Sequence, residues 1–88
     1  MRRASRTDEN HLRICMDLRT AGRSVVSTHR QGRGFPDAVV GYKGKTFLME
    51  FKTGEGRLLD SQVQFIENWR GSPVLVVRDS LEAIECTE

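Results

Sequence analysis

The stretch Thr46-Phe47-Leu48-Met49-Glu50-Phe51-Lys52 constrains this chain more than any other. It is rich in aromatic and large apolar types and reads as a β-strand. Side chains alternate faces along a strand, so Glu50 and Lys52 project to one side and Phe47, Met49 and Phe51 to the other. An acid and a base side by side, with an apolar row behind them, is a strand with a core on one face and chemistry on the other. Twelve residues lie between Asp37 and Glu50. A strand over 37–42 precedes a turn at Tyr42-Lys43-Gly44-Lys45, and the two strands then run antiparallel over 37–42 and 45–52. That hairpin sets Asp37 opposite the end of the second strand, near Glu50 and Lys52. Two carboxylates and an ammonium converge there, a divalent-metal site with a cationic neighbour.

The string Gly32-Arg33-Gly34-Phe35-Pro36-Asp37, the triplet Glu50-Phe51-Lys52, Gln62 in the helix that follows, and the ending Gly71-Ser72-Pro73-Val74-Leu75-Val76-Val77 come in that order. In this the chain resembles the PD-(D/E)xK nuclease superfamily, and within it the stand-alone form of the virus-type replication-repair nuclease (VRR-NUC) family. The resemblance spans residues 7–84. It implies an α/β fold of restriction-endonuclease type, a central mixed sheet flanked by helices in the order α-β-β-β-α-β-α. It also implies a metal-dependent deoxyribonuclease that hydrolyses phosphodiester bonds. Asp37 and Glu50 are then metal ligands, the backbone carbonyl of Phe51 is a third, and Glu9 on the first helix completes a shell, with Asp8 its rival. Lys52 orients the attacking water and offsets phosphate charge, and Gln62 points to the metal site. The expected ion is Mg²⁺ or Mn²⁺, which favour hard oxygen ligands.

Eighty-eight residues make one domain with a modest core. The expectation is a basic flexible arm over 1–6 and a single nuclease domain over 7–88. Net charge is +2, unevenly spread: residues 1–34 carry eight Arg against Asp8, Glu9 and Asp17, and residues 35–88 carry nine acids against six Lys and Arg. Arginine contacts phosphate through a bidentate fork, so a basic part beside an acidic pocket suits a polyanion. Arg2, Arg3, Arg6, Arg30 and Arg33 are the candidate DNA-binding residues. No apolar run reaches membrane-spanning length, and no apolar stretch follows the basic N-terminus as in a signal peptide. Cys15 and Cys86 lie far apart without metal spacing, which points to a reduced, cytoplasmic protein.

In chain order, a helix over 7–20 buries Leu12, Ile14, Cys15 and Leu18 and stops at Gly22. A strand over 24–28 leads into the polar loop His29-Arg30-Gln31-Gly32-Arg33-Gly34, whose glycines allow positive φ or close approach to phosphate. His29 reads as a bystander rather than a general base. The glycine-rich loop 53–57 lacks the phosphate-binding-loop pattern, so no nucleotide cofactor is expected. A helix over 58–70 presents Leu59, Val63 and Ile66 as a stripe widened by Leu58, Phe65 and Trp69, with Trp69 assigned to the core. The apolar run 74–77 reads as a strand inside the sheet, covered on both faces, and a short helix over 81–86 ends the chain.

A nuclease core with little else around it is expected to work as a homodimer on branched DNA, in the manner of a Holliday-junction resolvase. Two other readings stay open at this point. One is a catalytically silent DNA-binding module, and the other a non-selective nuclease targeted by a partner.

Overall fold

The computed structural model describes residues 6–88, with side chains from residue 9 onward. The elements are α1 (Arg6–Thr20), β1 (Ser24–Ser27), β2 (Ala38–Tyr42), β3 (Lys45–Phe51), α2 (Asp60–Asn68), β4 (Leu75–Val77) and α3 (Ser80–Cys86). The chain is an α/β fold with a four-stranded mixed sheet in the order β1-β2-β3-β4. The first three strands form an antiparallel meander, and β4 pairs parallel to β3. A parallel neighbour requires a crossover, and α2 lies in it.

The hairpin between β2 and β3 follows from its turn residues. Lys43 and Gly44 both take positive φ, 51° and 79°. Two consecutive positive φ values make the turn whose twist matches that of the strands it joins. The resulting register pairs Tyr42 with Lys45 and Ala38 with Met49. One step further along the ladder, Asp37 falls beside Glu50.

The core lies between the sheet and the α1–α3 pair. It comprises Ile14, Cys15 and Leu18 of α1, Ala38 and Val40 of β2, Met49 and Phe51 of β3, Val77 of β4 and Ala83 of α3. Alternation puts Ala38, Val40, Met49 and Phe51 on this face and leaves Val39, Leu48 and Glu50 on the other. Arg23 is buried here without a carboxylate partner. Its guanidinium donates to Thr87 Oγ1 (2.9 Å), Ala21 O (2.7 Å) and Ile84 O (3.1 Å), and it lies 3.7 Å from the Tyr42 ring centroid. Three acceptors and an aromatic face compensate the desolvated cation and tie the end of α3 to the α1–β1 corner.

Several expectations need correction. Leu12 is 59% exposed, because Ile14, Cys15 and Leu18 already define the buried stripe of α1 and Leu12 sits off it. The run 74–77 does not lie inside the sheet: β4 is an edge strand of three residues, and only Val77 is buried. Apolar composition recorded its parallel pairing with β3 but not its position in the sheet. α2 is shorter than 58–70 and contains no buried residue. Leu59 and Trp69 flank it at 64% and 43% exposure, so Trp69 is not part of the core. Arg6 is helical rather than part of the arm, while residues 1–5, with Arg2 and Arg3, lie outside the described residues. Among the described residues no helix is long and apolar enough to cross a membrane.

Candidate functional site

Asp37 is positioned by the loop before it. Thr28 at the end of β1 donates from its backbone N–H to Asp37 O (2.7 Å) and from Oγ1 to Pro36 O (2.7 Å). Pro36 is fully buried and holds Phe35 extended, which aims the Asp37 side chain across the hairpin. There Asp37 Oδ2 accepts the backbone N–H of Phe51 at 2.8 Å. The carboxylate thereby extends the ladder just before β2 begins.

Glu50 is the deepest polar group of the site, only 2% exposed. Its Oε2 accepts from Gln62 Nε2 at 2.7 Å and lies 3.7 Å from Lys52 Nζ. Burial, then the negative charge of Asp37 and hydrogen bonding between the two carboxyls, push its pKa up to about 8, against the opposing pull of Lys52. Two carboxyl groups with one buried cation at their edge hold a proton at neutral pH that a stronger cation would displace.

Gln62 is fixed at both ends of its amide. Its Oε1 accepts the backbone N–H of Leu59 at 2.7 Å, one of the free donors at the start of α2. An amide whose oxygen is used that way must turn its NH₂ to Glu50, so the hydrogen-bond network sets its orientation. Leu59 has no polar side chain to return the bond, and Gln62 supplies the only side-chain half of this cap. The helix start and the carboxylate site therefore share one residue.

The loop carrying Asp37 is clamped to the same helix turn. Gly32, Arg33 and Gly34 all take positive φ (71°, 56° and 80°), and Phe35 N–H closes a turn on Gly32 O at 3.0 Å. A Cβ on Gly34 would meet Ser61 O at 2.1 Å, so only glycine permits this approach. The sequence suggested that these glycines admit a phosphate; at Gly34 what comes close is the backbone of α2.

The remaining site candidates are placed as follows. Glu9 is exposed, on the side of α1 away from Ile14, Cys15 and Leu18, and does not join Asp37 and Glu50. Helical phase explains this, since position 9 falls on the side of α1 opposite the buried stripe of 14, 15 and 18. Among the described residues, no three His, Cys, Asp or Glu side chains group closely enough to hold a metal ion. Phe51 contributes its N–H to Asp37, and its ring packs edge-on to His11, 4.9 Å between centroids. His11 Nε2 and His29 Nδ1 lie 3.0 Å and 2.8 Å from Ser27 Oγ, so His29 belongs to a cluster joining α1 to β1. Arg30 and Arg33 are exposed in the loop before Asp37. Arg33 borders a groove of about 460 Å³ on the outer side of α2, which the sequence reading missed. Its signal was the spacing of Phe65 and Trp69, one helical turn apart, which had been assigned to the core.

No family model, curated protein or solved structure matches this chain.

Proposed function

We propose that this protein is a metal-dependent DNA nuclease of the PD-(D/E)xK type, working as a homodimer and selective for branched DNA. The observation that carries this reading is the site on one sheet face. Asp37 and buried Glu50 sit at the ends of paired strands, with Lys52 3.7 Å from Glu50 and Gln62 2.7 Å from it. A buried acid beside a half-buried one is costly as structure and useful as a cation site.

The donor set fits a hard divalent ion. Asp37 Oδ2 accepts from Phe51 N–H, and Glu50 Oε2 from Gln62 with Lys52 beside it; a cation would take the place of the proton that the two carboxyls share. Asp37 and Glu50 would hold Mg²⁺ or Mn²⁺, with the Phe51 carbonyl beside them. When bound, the ion supplies charge neutralisation at the phosphate and lowers the pKa of water. The chain's own groups do the rest. Phe51 N–H and Gln62 fix the two carboxylates. Lys52 places a positive charge where the phosphate and the attacking water meet, and the sheet keeps these groups from relaxing as charge builds.

The test is cleavage of a labelled four-way junction, a flap and a plain duplex in Mg²⁺ or Mn²⁺ by the parent protein, Asp37→Ala and Lys52→Ala. Cleavage in the parent and its loss in both folded variants is the expected result. An active Lys52→Ala protein would sink the assignment, and binding without cleavage would favour the silent DNA-binding module. Asp8→Asn and Glu9→Gln test whether either acid of α1 takes part, and unchanged cleavage in both would remove α1 from the site.

A further inference from the structure

The carboxylate site accounts for one side of α2. An adjacent face carries a partly exposed arrangement that neither the core nor the carboxylates use. Phe65 and Trp69 are one turn apart, with rings near parallel at 17° and centroids 5.3 Å apart. Phe35, from the loop that carries Asp37, stands edge-on to Phe65 at 5.3 Å and 70°. The groove beside them is lined by Arg33, Ser61, Gln64, Phe65, Asn68 and Trp69. Its volume, about 460 Å³, falls within the ~300–1,000 Å³ range of small-ligand sites.

Three features make this a site rather than a stray apolar patch. The indole lies against Gly71, where a Cβ would come within 2.7 Å of Trp69 Nε1, so glycine at that position makes room for the ring. Arg33 borders the groove from a left-handed backbone conformation that a non-glycine residue adopts at a cost, in a turn that packs on Ser61 through Gly34. The third feature is chemical. Gln64 and Asn68, four apart on the helix, add amides with both donors and acceptors to an aromatic wall and a guanidinium.

We propose that this groove binds an unpaired nucleobase of single-stranded DNA, stacked on Trp69 and Phe65. The phosphate of that nucleotide lies at Arg33 and its edge meets the amides of Gln64 and Asn68. Every base has a π-face, so an aromatic wall takes any of them, and a cation beside it suits the backbone. An apolar protein segment would leave Arg33, Gln64 and Asn68 without use. The proposal rests on the nuclease reading for its biological sense: α2 carries Gln62 at the carboxylates and Phe65 and Trp69 one to two turns further on, about 5–10 Å along the axis. A base captured there holds a strand that has left the duplex beside the phosphate to be cut, as a branched substrate requires.

Trp69 is the sole tryptophan of the chain, so its emission reports on the groove alone. The experiment titrates the full chain in EDTA at low salt with oligo(dT) and with an abasic oligonucleotide of equal length, while Mg²⁺-dependent cleavage is measured separately. The expected result is quenching by oligo(dT) at a Kd at least about tenfold below that of the abasic strand. Phe65→Leu, which keeps the reporter and an apolar contact with Phe35, should erase that difference. Equal affinity for the two strands overturns the proposal, and so does emission that shifts with protein concentration and ignores DNA, which would mean that a second copy covers the groove. If cleavage persists while the two strands bind alike, the groove proposal fails alone. If no nucleic acid binds and none is cut, the nuclease reading fails with it.

Discussion

Burying Glu50 beside Asp37 makes its ionisation part of the folding free energy. Its pKa rises from the ordinary 4.5 to about 8 in the folded chain. Below 4.5 the folded and unfolded states both hold the proton. Between 4.5 and about 8 the unfolded chain releases it and the folded chain keeps it, so stability falls as pH rises through that window and levels off above it. Each unit of such a shift corresponds to about 1.4 kcal/mol. We predict that in EDTA the melting temperature declines from pH 5 to pH 8. Glu50→Gln, which keeps an acceptor for Gln62, should flatten the profile and be the more stable protein at pH 8 while losing cleavage. Parallel Tm profiles for the two proteins would remove the electrostatic account of the site. At this scale the sequence was legible where alternation and register govern. Glu50 and Lys52 share a face because strands alternate, and Asp37 meets them because Lys43-Gly44 makes a two-residue turn. Gln62 was legible only through the family motif. It accepts a hydrogen bond from Leu59 and donates one to Glu50, twelve residues away, and no local pattern encodes the second. Trp69 misled because a large apolar side chain is a poor marker of burial in so small a chain.

α2 is the element whose attachment decides the site. It buries no residue of its own, and it meets the rest of the fold through Gln62 on Glu50, Phe65 on Phe35, and the Ser61 backbone against Gly34. Gly34 therefore affects geometry and stability together. Gly34→Ala would place a Cβ 2.1 Å from Ser61 O at a φ of 80°. The loop must lift from α2, carrying Pro36 and Asp37 with it. We predict a fall in Tm and a loss of cleavage larger than the unfolded fraction explains, checked by activity measured well below the transition. Normal activity in a folded Gly34→Ala protein would show that the clamp does not set the site. Arg33→Gly tests the neighbouring residue in the opposite sense. It removes a left-handed arginine whose strain costs about 1–2 kcal/mol, so Tm should rise while affinity for single strands falls. A drop in Tm would mean that Arg33 makes contacts worth more than its strain. The boundaries of α2 were the least legible of any element. Apolar spacing continued past both ends, while the extended backbone at Leu59 and Trp69 limits the helix to Asp60–Asn68. For β4 an apolar run could not separate an edge strand from an inner one, since parallel pairing on one side and a helix on one face already favour such residues.

At the scale of the whole molecule, charge is divided along the chain. Eight arginines stand in residues 1–34, and the acids gather after them. Within the described part, Arg30 and Arg33 flank the loop that leads to Asp37, while Arg23 is committed to α3. Arg2 and Arg3 lie outside the described residues and Arg6 at the first position of α1, so their part in DNA binding is open to a thermodynamic test. Each phosphate neutralised in duplex DNA contributes about 0.9 to the slope of log K against log salt. Replacing Arg2, Arg3 and Arg6 together with Gln should make the slope shallower by up to about 2.7 if all three reach phosphates, and leave cleavage at saturating DNA unchanged. An unaltered slope would confine the electrostatic contacts to the folded domain. The same sample yields the oligomeric state, for which light scattering should return twice the 10.0 kDa chain mass at micromolar concentration. Exposed Leu12, Met16 and Leu81 are apolar surface that a second copy could cover. Two sites related by a two-fold axis are what paired incision of a junction requires. A monomer that still cuts junctions in pairs would separate junction choice from symmetry and leave the groove on α2 as its remaining source.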